Sequence, residues 1–324
     1  MLHAAWNENY REVTQKLFVS RNPAYLFLTK DEKPSEYLKE LLNIDHLYDA
    51  NDSLEDIVKK TQKFWLQTVQ GAGGKERIDL VDADFMMARK NKVLDLTKNL
   101  GLFEQQMPII DNYDYAICLG TLLEDVRVHL YNLVEAWKRG VYFKSIVFLT
   151  GERYLRNKEG QNENIGNLLN PSLSPLPFKK GWTLPSNATY ETEYDMIKLV
   201  WDQVQLPDEM EYQLRQNATF VNAKQKNNLR PSTRDTFYSW LNAHHPAPGT
   251  VLGASYPLLW TYQQLVGFNV LRTTYPLDMI GPALREEDIK RHEEYFLSIV
   301  YDTLAKCLYE LYFSKHQTLS NVGH

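Results

Sequence analysis

Residues 114–130, DYAICLGTLLEDVRVHL, limit what this chain can fold into more than any other stretch. The nearly uncharged run 115–119 stops at Gly120-Thr121. Apolar residues then recur at helical spacing as Leu123, Val126, Leu130, Val134 and Trp137. A continuous apolar run of this length predicts a strand buried on both faces. The change to a 3.6-residue period after a glycine predicts a strand-turn-helix unit. Its turn falls at the carboxyl end of the strand, where open α/β sheets bind their ligands. The stretch says where something binds, and leaves open what reaction follows.

The same rhythm continues downstream. Residues 145–150 read as a second buried strand, ending in Gly151-Glu152-Arg153, and 219–222, 250–255 and 269–273 as further strands. Helical patterns cover 191–204, 232–244 and 258–268, and a long amphipathic helix is expected over 284–313. Alternation of this kind predicts an α/β fold with a Rossmann-like, doubly wound and mostly parallel sheet. Residues 1–108 carry only helical patterns, among them Leu54, Ile57, Val58, Thr61 and Trp65 behind a cap at Asp52 or Ser53. The expected division is a helical domain over 1–108 and the α/β domain over 109–324. Residues 157–188 lack periodicity, and a loop that long is usually a lid, a binding loop or disordered. Gly71-Ala72-Gly73-Gly74-Lys75 looks like a phosphate loop, but Glu76 replaces the required Ser or Thr and the preceding residues read as helix. A flexible turn is the better reading.

The formal net charge of −5 argues against a nucleic-acid partner, which would need a basic face. No apolar run approaches the ~18 residues of a membrane span, and the first residues lack a secretory pattern. The two cysteines, Cys118 and Cys307, fall on apolar patterns, and no Cys/His metal cluster occurs. These features predict a cytoplasmic protein without a metal motif, whose sequons at Asn187 and Asn217 stay unmodified.

The order of several short pieces resembles the YdcF-like (SanA/ElyC-related) bacterial family over about residues 112–275. The pieces are the strand 114–120, Arg127, Phe148-Leu-Thr-Gly151-Glu152, Glu193-Tyr-Asp-Met196, Arg230-Pro-Ser-Thr-Arg-Asp-Thr236 and Leu252-Gly-Ala-Ser255. The resemblance implies a Rossmann-like fold and a nucleotide-like or S-adenosylmethionine-like ligand. The chain departs from the family at two points: it has no glutamate matching the motif before Ser232, and Tyr256-Pro257 stands where a late His-x-x-Arg would be.

A sheet built this way brings Gly120, Thr121, Thr150, Gly151, Arg153, Arg230, Ser232, Thr233, Thr236, Ser255 and Tyr256 to one edge, with Arg127 a turn into its helix. Glycines allow close backbone approach, helix starts offer N–H groups to an anion, and arginines bind phosphate or carboxylate bidentately. Glu152 and Asp235 are the candidates for general acid/base work. Local alternatives exist. Ser232 and Asp235 also fit a helix-capping box, and Arg127 also fits a surface pair with Glu124 or Asp125. The absence of GxGxxG argues against an NAD enzyme. The leading expectation is a protein that binds a small anionic, nucleotide-like or phosphorylated molecule as a transferase or hydrolase, with a nucleotide or S-adenosylmethionine as possible cofactor. The rival is a non-catalytic ligand-sensing or protein-interaction module. The C-terminal helix is a candidate homodimer surface.

Overall fold

Residues 2–68, 80–159, 161–227 and 229–320 are described by the computed structural model of the protein. In chain order they form α1 (Leu2–Ser20), α2 (Ala24–Phe27), α3 (Glu36–Ile44), α4 (Leu54–Phe64), α5 (Asp84–Met87), α6 (Lys90–Asn99), β1 (Asn112–Leu119), α7 (Leu123–Lys138), β2 (Tyr142–Gly151) and α8 (Ile165–Leu169). These are followed by α9 (Glu193–Gln203), α10 (Asp208–Leu214), β3 (Thr219–Ala223), α11 (Thr233–His244), β4 (Val251–Ala254), α12 (Leu259–Val270), β5 (Leu277–Ile280), α13 (Glu286–Arg291) and α14 (Phe296–Ser320). The glycine-rich turn at 71–75 lies outside the described residues.

The chain divides into two compact units, each assembled from three separate segments. One comprises residues 1–20, 107–256 and 270–281, and the other 21–106, 257–269 and 282–324. Chain order alone groups the N-terminal helices together, whereas α1 belongs to the unit that holds the sheet and lies against β5.

The sheet is all parallel, with strand order β3-β2-β1-β4-β5. This is the Rossmann-like α/β arrangement that the alternating pattern predicts. β1 lies at its centre, and residues 116–119 are almost inaccessible because helices cover both faces. Ala116, Cys118, Ile146 and Phe148 pack in the same core as Val126 and Leu130 of α7 and Met196 and Val200 of α9. On the other face Tyr115 meets Trp240 of α11 edge-on, with ring centroids 5.2 Å apart. Alternate strand residues thus serve two cores, which is why the run shows no polar interruption.

The last strand is not where the apolar pattern suggested. Residues 269–273 end α12 and a short 3-10 turn, and the strand is Leu277–Ile280, paired with β4 from Val251 to Ala254. Asp278 hides it in the sequence by placing a charge in the middle of a four-residue strand. That carboxylate is fully buried and accepts hydrogen bonds from the Tyr113 hydroxyl and from the Ile109 N–H at 2.8 Å. Burial, and then the nearby Asp278 charge, hold the Tyr113 phenol well above its ordinary pKa, so it remains a donor.

In the other unit the expected continuous helix over 284–313 is two helices, α13 and α14. The break arises because Asp82 reaches in to accept from the N–H groups of Leu297 and Ser298 at 2.9 and 2.7 Å, capping α14 at its own start. Residues 84–99 of this unit form the two helices α5 and α6. Asp302 is a fully buried anchor on α14 that accepts from the Thr68 N–H and hydroxyl and from the Lys306 ammonium. The apolar face of α14, including Val300, Leu304, Leu308 and Leu311, is buried within the chain itself. Tyr309 of the same helix is exposed. No described helix is long and apolar enough to cross a membrane.

Replacing Tyr113 with Phe leaves the buried Asp278 carboxylate one donor short. The expected loss is about 1–3 kcal/mol of stability, read as a lower urea midpoint at unchanged slope. An unchanged midpoint would mean that the tie between residues 109–113 and β5 carries no stability.

Candidate functional site

A parallel sheet with this strand order reverses its winding between β1 and β4, and the loops at that edge are the usual ligand-binding position. Here the edge is formed by Gly120-Thr121-Leu122 after β1, Glu152-Arg153 after β2, the polar segment after β3, and Ser255-Tyr256 after β4. The sequence-predicted residues do converge there, but most of them bind one another.

At the centre is a buried ion cluster. Arg153 donates from Nη1 and Nη2 to the two oxygens of Glu163, both at 2.7 Å, and from Nε to Glu193 at 2.9 Å. A further Nη2 bond goes to the Thr121 carbonyl at 3.1 Å. The second Glu193 oxygen accepts from the Gly151 N–H at 3.1 Å, and Arg230 approaches Glu193 at 3.6 Å. The Arg153, Glu163 and Glu193 side chains are all nearly inaccessible. Burial by itself would lower the Arg153 pKa, but the hydrogen bonds and charges of Glu163 and Glu193 outweigh it and hold the guanidinium above its ordinary value. Arg153 is thus committed to its own chain rather than presented to a ligand.

Gly120 has a related explanation. A Cβ at this position would run into the Glu193 carboxylate and lie 3.0 Å from the Leu149 carbonyl. The space that a phosphate would need for close approach to this glycine is filled by the chain's own anion. At Gly151 the nearest neighbour, Pro231, would be in ordinary contact with a Cβ, at 3.4 Å.

Arg127 is neither a ligand contact nor a surface ion pair. It is buried, and its Nη1 and Nη2 donate to the carbonyls of Asn167, Leu168 and Leu173 and to the Gln203 side chain. Burial among these neutral acceptors lowers its pKa to about 10. Its work is to pin the expected loop, which contains α8 and a 3-10 turn at 171–173, against α9. Thr150 spends its hydroxyl on the Val221 carbonyl across the β2–β3 pairing. Thr236 bonds back to the Thr233 carbonyl, and the buried Ser255 hydroxyl donates to the Tyr256 carbonyl.

The two candidate acid/base residues are held by donors. Glu152 accepts from the Lys224 ammonium at 2.9 Å and the Gln225 N–H at 3.0 Å, and these bonds hold its carboxyl below the usual range. Asp235 accepts from the Ser232 N–H and hydroxyl at 2.8 and 2.6 Å, completing the capping box at the start of α11. The Glu152 environment disfavours the proton that a general acid needs.

The helix starts are satisfied in the same way. α7 carries Glu124 and Asp125 in its first turn, and the Thr121 hydroxyl donates to Asp125 at 3.3 Å. α9 has Glu193 and a Thr192–Asp195 capping box, and α11 has Asp235. The positive dipole ends of α7, α9 and α11 are thus already complemented by carboxylates. The expectation that these helices would offer their N–H groups to an anion does not fit this arrangement.

Sequence reasoning did not single out Glu163, which sits in an unpatterned Asn-rich stretch ten residues from its arginine. Glu193 was visible only as part of a motif. At the opposite, amino-terminal edge of the sheet lies a cavity of about 420 Å³ lined by Tyr10, Asp111, Asp114, Lys144 and Thr250 among others. Asp114 there is already paired with Lys144 at 2.6 Å and with the Thr250 N–H at 2.8 Å. The strand order gives the carboxyl edge the greater weight as the site.

Replacing Arg153 with Ala leaves two buried carboxylates uncompensated and is expected to destabilise the protein by about 3–5 kcal/mol, read in urea unfolding. A loss within error would show that the cluster is not buried in solution. A second expectation concerns pH. His129 is buried, with Nδ1 donating to the Leu119 carbonyl at 3.0 Å, and burial lowers its pKa to about 4. The unfolded chain takes up this proton near pH ~6.5, whereas the folded chain does so only near 4. Stability is therefore lost as pH falls through that window, by up to roughly 3 kcal/mol. His129→Gln should flatten the dependence, and an unchanged slope would remove His129 as its source.

No protein-family model matches this chain, and neither a curated protein nor a solved structure matches it.

Proposed function

We propose that the sheet-bearing unit binds a small anionic, phosphate-bearing or nucleotide-like molecule at the carboxyl edge of its sheet. The observation that carries this reading is the all-parallel order β3-β2-β1-β4-β5, with its reversal between β1 and β4. Arg230 supports it, as a cation at this edge whose side chain is 41% exposed. The YdcF-like resemblance belongs to the same proposal, since its pieces fall on β1, β2, β4 and the starts of α9 and α11. Cys118 and Cys307 are free and buried, in keeping with a reducing, cytoplasmic setting.

A transferase or hydrolase would need a proton-transferring group at this edge, and Glu152 and Asp235 are both engaged by donors of the chain. That observation favours the second reading, in which the edge senses a ligand without turning it over.

The test is a thermal-shift screen of purified protein against nucleotides, S-adenosylmethionine, sugar phosphates and phosphate. A ligand at ~100 times its dissociation constant should add ~2.7 kcal/mol of stability, and Arg230→Glu should abolish that gain. No shift across the panel would sink the proposal. Turnover of a bound ligand would decide for the enzyme.

A further inference from the structure

The cavity at the amino-terminal edge of the sheet has a chemistry of its own, independent of the carboxyl edge. Its volume of about 420 Å³ is that of a small-molecule site, and its lining residues all belong to the sheet-bearing unit. Asp111, just before β1, and Asp114 within it line the cavity together with Lys144 of β2. Lys144 is the sole cation among the described lining residues, so two carboxylates face one ammonium and the excess charge is negative.

The hydroxyl donors of this cavity are spent within the chain, whereas its carboxylate acceptors are not. Tyr10 donates its hydroxyl to the Thr274 carbonyl at 2.8 Å, and Tyr113 donates to Asp278. Thr250 donates to Asp114 Oδ2 from its N–H at 2.8 Å and from its hydroxyl at 3.1 Å. Asp111 is exposed, and among the described residues no hydrogen bond or ion pair reaches its carboxylate. The other oxygen of Asp114, Oδ1, meets the Lys144 ammonium at 2.6 Å, and that lysine side chain is 78% exposed. A pair this exposed is worth little. Exchanging Lys144 for another ammonium would still leave Asp114 both of its Thr250 donors. The lysine thus shows which chemical group this oxygen accepts.

Three residues of chain separate the two carboxylates, which places their Cα atoms at most about 10 Å apart. Val13, Ile110 and Tyr10 line the same cavity and supply apolar surface. Methylene groups gain from contact with such a wall, and a tyrosine ring also attracts an ammonium. Two carboxylates at this spacing beside apolar walls suit a molecule with a cation at each end and hydrocarbon between. We propose that this cavity binds a short alkyl diamine as its diammonium ion, with one ammonium at Asp114 Oδ1 in exchange for Lys144 and the other at Asp111.

Calorimetric titration of the full chain with putrescine, cadaverine and the monoamine butylamine tests this, alongside Asp111→Asn and Lys144→Ala. Glu36→Gln, an exposed charge change in the other unit, controls for net charge. Urea unfolding checks that the variants fold as well as the parent. The expected result is binding of a diamine, with butylamine about tenfold poorer, Asp111→Asn weakening the diamine about tenfold and Lys144→Ala strengthening it about threefold. Added salt weakens the binding, and Glu36→Gln leaves it unchanged. Binding of neither diamine, or butylamine binding as tightly as the diamines, would overturn the proposal. So would diamine affinity unmoved by both cavity substitutions, or weakened as much by Glu36→Gln as by Asp111→Asn. Each of these failures leaves the reading of the carboxyl edge where it stands.

Discussion

Two buried carboxylates share one buried arginine at the carboxyl edge, and the local structure follows from that constraint. Removing three charges from water is unfavourable unless each finds charged partners and hydrogen bonds. Arg153 meets the condition by engaging Glu163 through both terminal nitrogens and Glu193 through Nε. Satisfying it fixes much else. Glu163 draws the segment after β2 back onto the sheet, and Glu193 sets where α9 begins. The residue after β1 must be glycine, because a side chain would collide with the Glu193 carboxylate. Arg127 completes the arrangement from beneath by holding three carbonyls of 167–173. A segment that reads as a lid or a disordered loop is tied down by two arginines, one at Glu163 and one at residues 167–173.

The same economy of charge shapes the chemistry available at the edge. An open parallel sheet normally attracts anions through glycine turns and helix starts. Here those devices serve the chain itself. Carboxylates of the protein sit in the first turn of α7, α9 and α11, and one presses against Gly120. Exposed side-chain cations, Lys224 and Lys226, lie at the margin of this edge. Glu152 and Asp235 illustrate the other half of the point. Each lies at the edge as its place in the chain implies, and each is a hydrogen-bond acceptor for donors of the chain itself.

Much of the fold was legible in the sequence. Residues 115–119 and 145–150 read as buried strands because burial on both faces leaves an uninterrupted apolar run. The helices after them were legible because a 3.6-residue period is local. The Ser232–Asp235 box was legible too, since its partners are three residues apart. Legibility failed where a charge entered a strand or an apolar run ended a helix. Asp278 made β5 look like a loop, and Val270-Leu271 at the end of α12 looked like the strand instead. The break before α14 was hidden because its cap, Asp82, comes from more than two hundred residues away.

What the sequence determined by itself was therefore the class of fold and the edge at which its loops gather, because these depend on periodicity and on the order of strands and helices. Which of those loop residues are available to a ligand was decided only by tertiary structure. Arg153 lies ten residues from one carboxylate and forty from the other, and Arg127 is matched to backbone carbonyls that every residue possesses. Pairings of this kind leave no pattern along a chain. They are selected when burial makes an unpaired charge too unfavourable to keep, and that condition exists only once the surrounding elements have packed.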